Sequence, residues 1–358
     1  MSDNPYKGLP ESAFWSSGVA NQSPFELAGL YSRKWRISKK NRVATAGSCF
    51  AQHIARHLRK RDFSVLDMEP PPPGLPEDAH LKFGYSTYSC RYGNIYTARQ
   101  LLQLVREISG DFVPHDIVWE KGGRFYDALR PAVEPNGLPT ADEVISQRKA
   151  HLEKVREMLE QMDLLVFTLG LTEAWEHIET GTVYPTAPGT VAGEFDADEI
   201  QFRNFSFSEI RNDFDTFLTL VKELRGGRNF RVLLTVSPVP LTATASGGHV
   251  LKATTYSKSV LRAVAGFFEA RPNIDYFPSY EVITNPAARG IFYESNMRSV
   301  RSTGVETVME IFFSEHDAVP ARRQSRVKAA IPAVRRDAQP SFDEDVQCED
   351  ALLEQFRR

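Results

Sequence analysis

Cysteine is scarce, with Cys49, Cys90 and Cys348 the whole supply in 358 residues. So odd and widely spaced a set excludes a disulfide framework and fits none of the paired cysteine or Cys/His spacings of zinc sites, which points to a reducing compartment. Long apolar runs are missing as well. None approaches the roughly 20 residues that span a bilayer, and the opening Met1-Ser2-Asp3-Asn4-Pro5-Tyr6-Lys7 has no apolar signal-peptide core, so a cytoplasmic protein with no membrane span is expected. Nor does either sign of charge dominate: 43 Lys and Arg against 46 Asp and Glu leave −3, which gives no general attraction to nucleic acid or anionic lipid. The basic stretch Arg56-His57-Leu58-Arg59-Lys60-Arg61 reads as a solvated helix end, where cations suit the C-terminal dipole.

What is present is a 42% hydrophobic chain, enough to fill the core of one large α/β domain or two ordinary ones. Residues 1–40 mix aromatics with Ser, Gly and Pro without a period, suggesting an irregular arm packed onto the domain. Residues 41–316 carry the periodic elements. Strands are predicted at 42–47, 63–67, 164–169, 230–236 and 274–277, and helices at 49–60, 97–108, 141–162, 207–225, 255–270 and 303–313. Pro70-Pro71-Pro72-Pro73-Gly74 excludes both helix and ladder pairing and reads as a surface loop. From 317 to 358 the periodicity fades into Arg, Asp, Pro and Gln, the pattern of a mobile charged tail with a short helix at 348–357. Alternating strands and helices imply a mostly parallel sheet covered on both faces, with the loops after 47, 169, 236 and 277 sharing one rim.

The turn Gly47-Ser48-Cys49-Phe50-Ala51 joins the first strand to the first helix. A helix N-terminus lowers a thiol's pKa, and its N–H groups face a reacting carbonyl oxygen, so Cys49 is a candidate nucleophile; the alternative is a small buried hydrophobe. Ser48 competes for that place or, more in keeping with its type, caps the helix. In Gly170-Leu171-Thr172-Glu173-Ala174-Trp175, Thr172 and Glu173 reach the rim or serve as helix cap and first-turn carboxylate, and Trp175 is a sugar platform or simply packed. His249, behind Gly247-Gly248, reads as a mobile general base or an exposed loop histidine. His53 leans from the helix back toward Cys49 or is a partly buried helical histidine. Glu281, after the last strand, orients a histidine or pairs with Arg289 or Arg298; Asn296 caps a turn or lines the rim.

Residues 47–51 spell the signature of the GSCFA family, which is similar to the SGNH or GDSL-like hydrolases, and the resemblance extends over most of 40–313. It rests also on Tyr92-Gly93-Asn94-Ile95-Tyr96, Thr168-Leu169-Gly170, Ser237-Pro238-Val239, Tyr256-Ser257-Lys258-Ser259 and Pro278-Ser279-Tyr280-Glu281. The resemblance implies a three-layer flavodoxin-like (SGNH-type) α/β fold with Cys49 in the place of the nucleophilic serine. Gly93 or Asn94 then becomes an oxyanion donor, and Thr172 stands at the position of the hydrolases' asparagine. Where family sequences resemble Asp-Met-x-His-Pro-Ser, this chain reads Asn296-Met297-Arg298-Ser299-Val300-Arg301, without the acid and the base. A histidine from elsewhere must then activate the thiol, with His249 first in order, His53 second and His316 third, and Glu173 or Glu281 as orienting carboxylate.

The resulting expectation is an esterase or O-acyltransferase acting on an acylated carbohydrate through a Cys49 thioester, with no required cofactor and a coenzyme A thioester as acyl donor. The competing expectation is an inactive carbohydrate-binding protein on the same scaffold.

Overall fold

The computed structural model describes residues 4–317 and 349–356. In chain order its first elements are β1 (Val43–Gly47), α1 (Phe50–Lys60), α2 (Glu77–His80), α3 (Ala98–Ser109), β2 (Val118–Lys121), β3 (Arg124–Asp127), α4 (Ala141–Gln161) and β4 (Leu164–Leu169). There follow β5 (Glu173–His177), β6 (Val183–Tyr184), β7 (Ile200–Asn204), α5 (Phe207–Leu224), β8 (Arg231–Val236), α6 (Val250–Glu269), β9 (Ile274–Tyr276), α7 (Ser279–Thr284) and α8 (Ser302–His316).

The apolar runs form a parallel sheet in the order β1-β4-β8-β9, with Gly47 level with Thr168 and Thr168 level with Thr235. The segment predicted as a strand at 63–67 contributes only one parallel bridge, Val65 to Val43, beyond β1. On one face of the sheet Leu101, Met158, Phe214 and Leu261 bring in α3, α4, α5 and α6; on the other, Ile54, Val282 and Phe312 bring in α1, α7 and α8. The protein is therefore a mixed α/β structure with a central parallel sheet flanked by helices. Helix starts follow local chemistry: Thr97 with Gln100, and Ser206 with Glu209, close reciprocal capping boxes at α3 and α5.

Several expectations need correction. Residues 173–177 are a strand, not the first turn of a helix, because β5 pairs antiparallel with both β6 and β7; the cap and first-turn readings of Thr172 and Glu173 fall with it. The β2–β3 hairpin was equally unforeseen. α6 begins at Val250, five residues before the predicted 255, and His249 caps it. α8 runs on to His316 because that histidine pins the N-terminal arm. The Ile37 N–H donates to His316 Nδ1 at 3.2 Å, so Nε2 carries the ring proton and donates to the Tyr31 hydroxyl at 3.0 Å, which in turn donates to Asp275 at 3.1 Å. The arm is thus irregular but tied down. The predicted mobile stretch at 318–348, including Cys348, lies outside the described residues, and Glu349–Phe356 form a 3₁₀ helix. Among the described residues no helix is long and apolar enough to cross a membrane.

Candidate functional site

The parallel sheet carries the ends of β1, β4 and β8 to one rim, and α1 starts there. Gly47 makes the turn with φ +132°, and a Cβ at this position would lie 2.5 Å from the Thr168 carbonyl oxygen. No L side chain suits that conformation, and backbone cannot step aside as a side chain can. Gly47→Ala is accordingly expected to cost about 3 kcal/mol in a urea melt; a loss below about 1 kcal/mol would contradict this packing. Gly170 meets the same turn from β4, where a Cβ would come within 2.9 Å of both Ser48 Cβ and the Tyr96 carbonyl oxygen.

Cys49 is the N-cap of α1, buried at 6% exposure, and its side chain makes no cap bond. The first turn of α1 contains no acidic residue, so the positive end of the helix faces the rim without a carboxylate of its own. Cys49 belongs to neither of the two large apolar clusters. Cys90 differs: it sits inside one of them with Sγ 3.7 Å from Met158 Sδ, and burial holds its thiol well above the usual range. Ser48 does not cap. Its Oγ is buried and has no hydrogen-bond partner, while its N–H donates to the Thr168 carbonyl at 3.1 Å. Hydroxyls continue along that face of the sheet, with Thr168 Oγ1 also unpartnered and Thr235 bonded to Ser279. A buried hydroxyl without a partner calls for an explanation, and a reacting group or ordered water is the usual one.

Asn94 is brought to this turn by the Ile95 N–H, which donates to the Gly47 carbonyl at 2.9 Å; the preceding Gly93 turns with φ +67°. Asn94 Oδ1 accepts from Tyr88 Oη at 2.6 Å and from Gln52 Nε2 at 3.2 Å. With the oxygen so engaged, Nδ2 is the donor end of the amide. Tyr88 Oη also lies 3.0 Å from the Ser48 carbonyl oxygen, so Ser48, Gln52, Tyr88 and Asn94 form one polar cluster beside Cys49. Sequence reasoning assigned no role to Gln52 or Tyr88. The spacing of Gln52, three residues after Cys49 on one helix, was the available signal.

The loop after β4 is held by α6: Thr172 N–H donates to Ser257 Oγ at 3.0 Å, and the buried Lys258 Nζ donates to the Gly170 carbonyl at 2.6 Å. Thr172 Oγ1 donates to Asn204 at 2.7 Å, fastening the loop to the end of β7. Glu173 is buried, accepts from Thr244 Oγ1 at 2.8 Å, and burial raises its carboxyl above the ordinary range. Thr244 thereby ties the segment that ends in His249 to Glu173. His249 itself is exposed, and its Nδ1 accepts from the Leu251 N–H at 3.1 Å.

The remaining candidates are engaged elsewhere. His53 lies edge-on to Phe50 at 5.6 Å and is pushed down to about 3 by burial, with Arg56 and His57 adding to the effect, so the ring stays neutral and holds a proton poorly. Glu281 accepts from Arg262 Nε and from Tyr276 Oη, both at 2.7 Å, rather than from Arg289 or Arg298. Asn296 is exposed and closes a turn, with Oδ1 accepting from the N–H groups of Arg298 and Ser299 at 2.9 Å. His316 is committed to Tyr31 and Ile37. Trp175 packs edge-on against Phe195 and Phe202 at 5.2 and 5.8 Å. The structure thus brings Ser48, Cys49 and Asn94 together, and joins Glu173 to the His249 segment.

Comparison with protein-family models matches residues 42–312 to the one described as the GSCFA family. None of the curated proteins compared with the chain matches it.

Proposed function

The chain belongs to the GSCFA family, and from that premise we propose that it is an SGNH-like acyl-ester enzyme, an esterase or O-acyltransferase working on an acylated carbohydrate through a thioester on Cys49. The observation that carries this reading is the pairing, at one helix N-terminus, of a thiol outside both apolar clusters with a buried serine hydroxyl that has no partner. The sheet also supports it: with the Val65 bridge counted as a strand, the spatial order becomes 2-1-3-4-5, that of flavodoxin-like sheets.

In this reading the Cys49 thiolate attacks the acyl carbon, forming the C–S bond while the carbonyl electron pair moves onto oxygen. The oxyanion is met by the N-terminal N–H groups of α1, with Asn94 Nδ2 and Ser48 Oγ–H as further donors. Collapse breaks the C–O bond of an ester, or the C–S bond of a thioester donor, and the leaving alkoxide or thiolate takes the proton that the thiol gave up. His249, on the segment tied to Glu173, is the proton carrier, since His53 and His316 are held in other work and Glu281 is neutralised by Arg262. Water or a sugar hydroxyl then attacks the thioester and releases the thiol. A groove of about 250 Å³ with a mostly apolar surface, lined by Gln52, Leu81, Thr87 and the three cations Arg56, Arg59 and Lys60 among others, is the proposed seat of a coenzyme A thioester donor, with those cations meeting its phosphates.

The test is intact-mass analysis after incubation with acetyl-coenzyme A and with a chromogenic acetyl ester, followed by chase with an oligosaccharide. An acetyl adduct is expected in the wild type and in Cys90→Ala, and none in Cys49→Ala, with ester turnover down by roughly 10³-fold or more. Equal turnover by wild type and Cys49→Ala would end the proposal. A second reading, an inactive carbohydrate-binding protein, draws on Asn296 and Ser299, which bond to each other where the family pattern has its acid and base. It requires sugar binding with no adduct on any variant.

A further inference from the structure

Away from the rim, the far end of β5 gathers three donor side chains from separate parts of the chain. His115 precedes β2, His177 is the last residue of β5, and Glu199 stands just before β7. Their ligand atoms all lie within 4.8 Å of one another, and the two imidazole rings stack at 3.8 Å with 16° between their planes. β5 runs from Glu173 to His177, so this cluster stands about 13 Å along the strand from the rim carboxylate. It takes no part in the chemistry above.

We propose that His115, His177 and Glu199 form a divalent-metal site, with zinc the best-suited ion. Two imidazoles and one carboxylate are a borderline donor set that favours zinc, with cobalt and nickel as substitutes. The backbones of all three are fixed by the same hairpin. The Ile178 N–H donates to the Glu199 carbonyl at 2.8 Å, the His177 N–H to the Thr182 carbonyl at 2.8 Å, and the His115 N–H to Thr182 Oγ1 at 2.9 Å. Behind the buried His177, Thr180 Oγ1 lies 3.0 Å from Nδ1 and 2.8 Å from Thr182 Oγ1. Nδ1 also accepts from the Thr180 N–H at 3.2 Å, so the ring proton sits on Nε2 in this structure; zinc takes Nε2 as that proton moves to Nδ1, where Thr180 Oγ1 accepts it in place of the amide bond.

A tetrahedral ion bound at about 2.0–2.1 Å needs its donors about 3.3 Å apart. Closing the present spread requires movement only of the exposed Glu199 and the half-exposed His115, whose ring must tilt out of the stack so that its lone pair converges with that of His177. Three protein ligands leave a fourth position for water or an incoming ligand.

Equilibrium dialysis of the full chain against zinc chloride at pH 7.5, and cobalt titration read by visible absorption, test the site. One zinc per chain is expected, with a tetrahedral cobalt spectrum, and affinity falling at least tenfold in His115→Ala and in Glu199→Gln. Both substitutions sit at accessible positions, so loss of binding with an unchanged melting curve separates a ligand role from unfolding; His177→Ala should abolish binding. Unchanged zinc stoichiometry and affinity in the double variant His115→Ala/Glu199→Gln, or an octahedral cobalt spectrum indifferent to all three residues, would overturn the assignment. These readouts are independent of Cys49, so failure of the acyl-transfer proposal leaves them intact.

Discussion

Replacing Arg148 with methionine is expected to destabilise the fold by about 3–5 kcal/mol, seen as a large drop in urea midpoint at unchanged m-value. Arg148 is buried within α4 and serves two carboxylates: Nε donates to Glu107 at 2.7 Å, Nη2 bonds the other Glu107 oxygen, and Nη1 lies 3.1 and 3.2 Å from the two oxygens of Asp127. Burial alone would raise the Asp127 carboxyl, but Arg148 and Arg130 together hold it down at about 2. Methionine fills much of the volume yet supplies no charge, so Glu107 would lose the cation that both its oxygens bond and Asp127 would keep only Arg130. The large term is that uncompensated charge; the pair itself contributes much less. Removing the carboxylate as well should therefore recover part of the loss, and Arg148→Met/Glu107→Leu is expected to be more stable than Arg148→Met alone. A single-variant loss within 1 kcal/mol of wild type would show that water reaches this network freely.

The same network reaches toward the rim. Arg130 donates to the Arg91 carbonyl at 3.1 Å, and the Arg91 N–H donates at 2.6 Å to Glu69, which also bonds His151. A cavity of about 30 Å³, lined by Asn94, Tyr92, His151 and Arg148 among others, lies between these charges and the Cys49 turn. It has room for a water or two in polar surroundings. Slackening at Arg148 would then loosen the segment that positions Asn94.

What could be read from the residues alone was whatever a long apolar run or a strong helical period announces. Leu164–Leu169 and Arg231–Val236 are continuous apolar stretches because parallel strands are covered on both faces, and they appear where expected. β5, β6 and β7 left no such trace. They are two to five residues long, mix Glu, Trp, His and Gln, and owe their strand form to one another. α4 was visible as a polar helix, but nothing in its period says that Arg148 and His151 are buried, because their partners Glu107, Asp127 and Glu69 lie 41, 21 and 82 positions away. Glu281 shows the same limit: its partner is Arg262 on α6, 19 positions earlier in the chain. The turn at 47–51 was legible for the opposite reason, since a glycine between an apolar strand and a helix has few other uses.

Acidification should unfold this protein steeply, and well above the range in which carboxylates titrate. Burial pushes His53 down to about 3 and His151 and His316 down to about 4, although Glu69 beside His151 pulls the other way. In the unfolded chain each histidine titrates near 6.5. The native state therefore keeps all three rings neutral while the unfolded state takes up three protons as the pH falls below that value. Stability fully present above about pH 6.5 is lost on the way down to about 4, at a limiting slope of about 4 kcal/mol per pH unit for three protons. Asp127 and Glu69, both held at about 2, stay charged in the native state through this window, and their own loss sets in from about pH 5 downward as the unfolded carboxylates protonate. Unfolding free energies from urea melts at pH 7.5, 6.5, 5.5 and 4.5 measure the slope directly. His316→Gln is the informative variant, because an amide can retain one bond to the Tyr31–Ile37 arm while removing one proton from the count, and the limiting slope should fall by about a third. A slope corresponding to fewer than one proton across this window would mean that these rings protonate in place, and that the buried histidines are open to water.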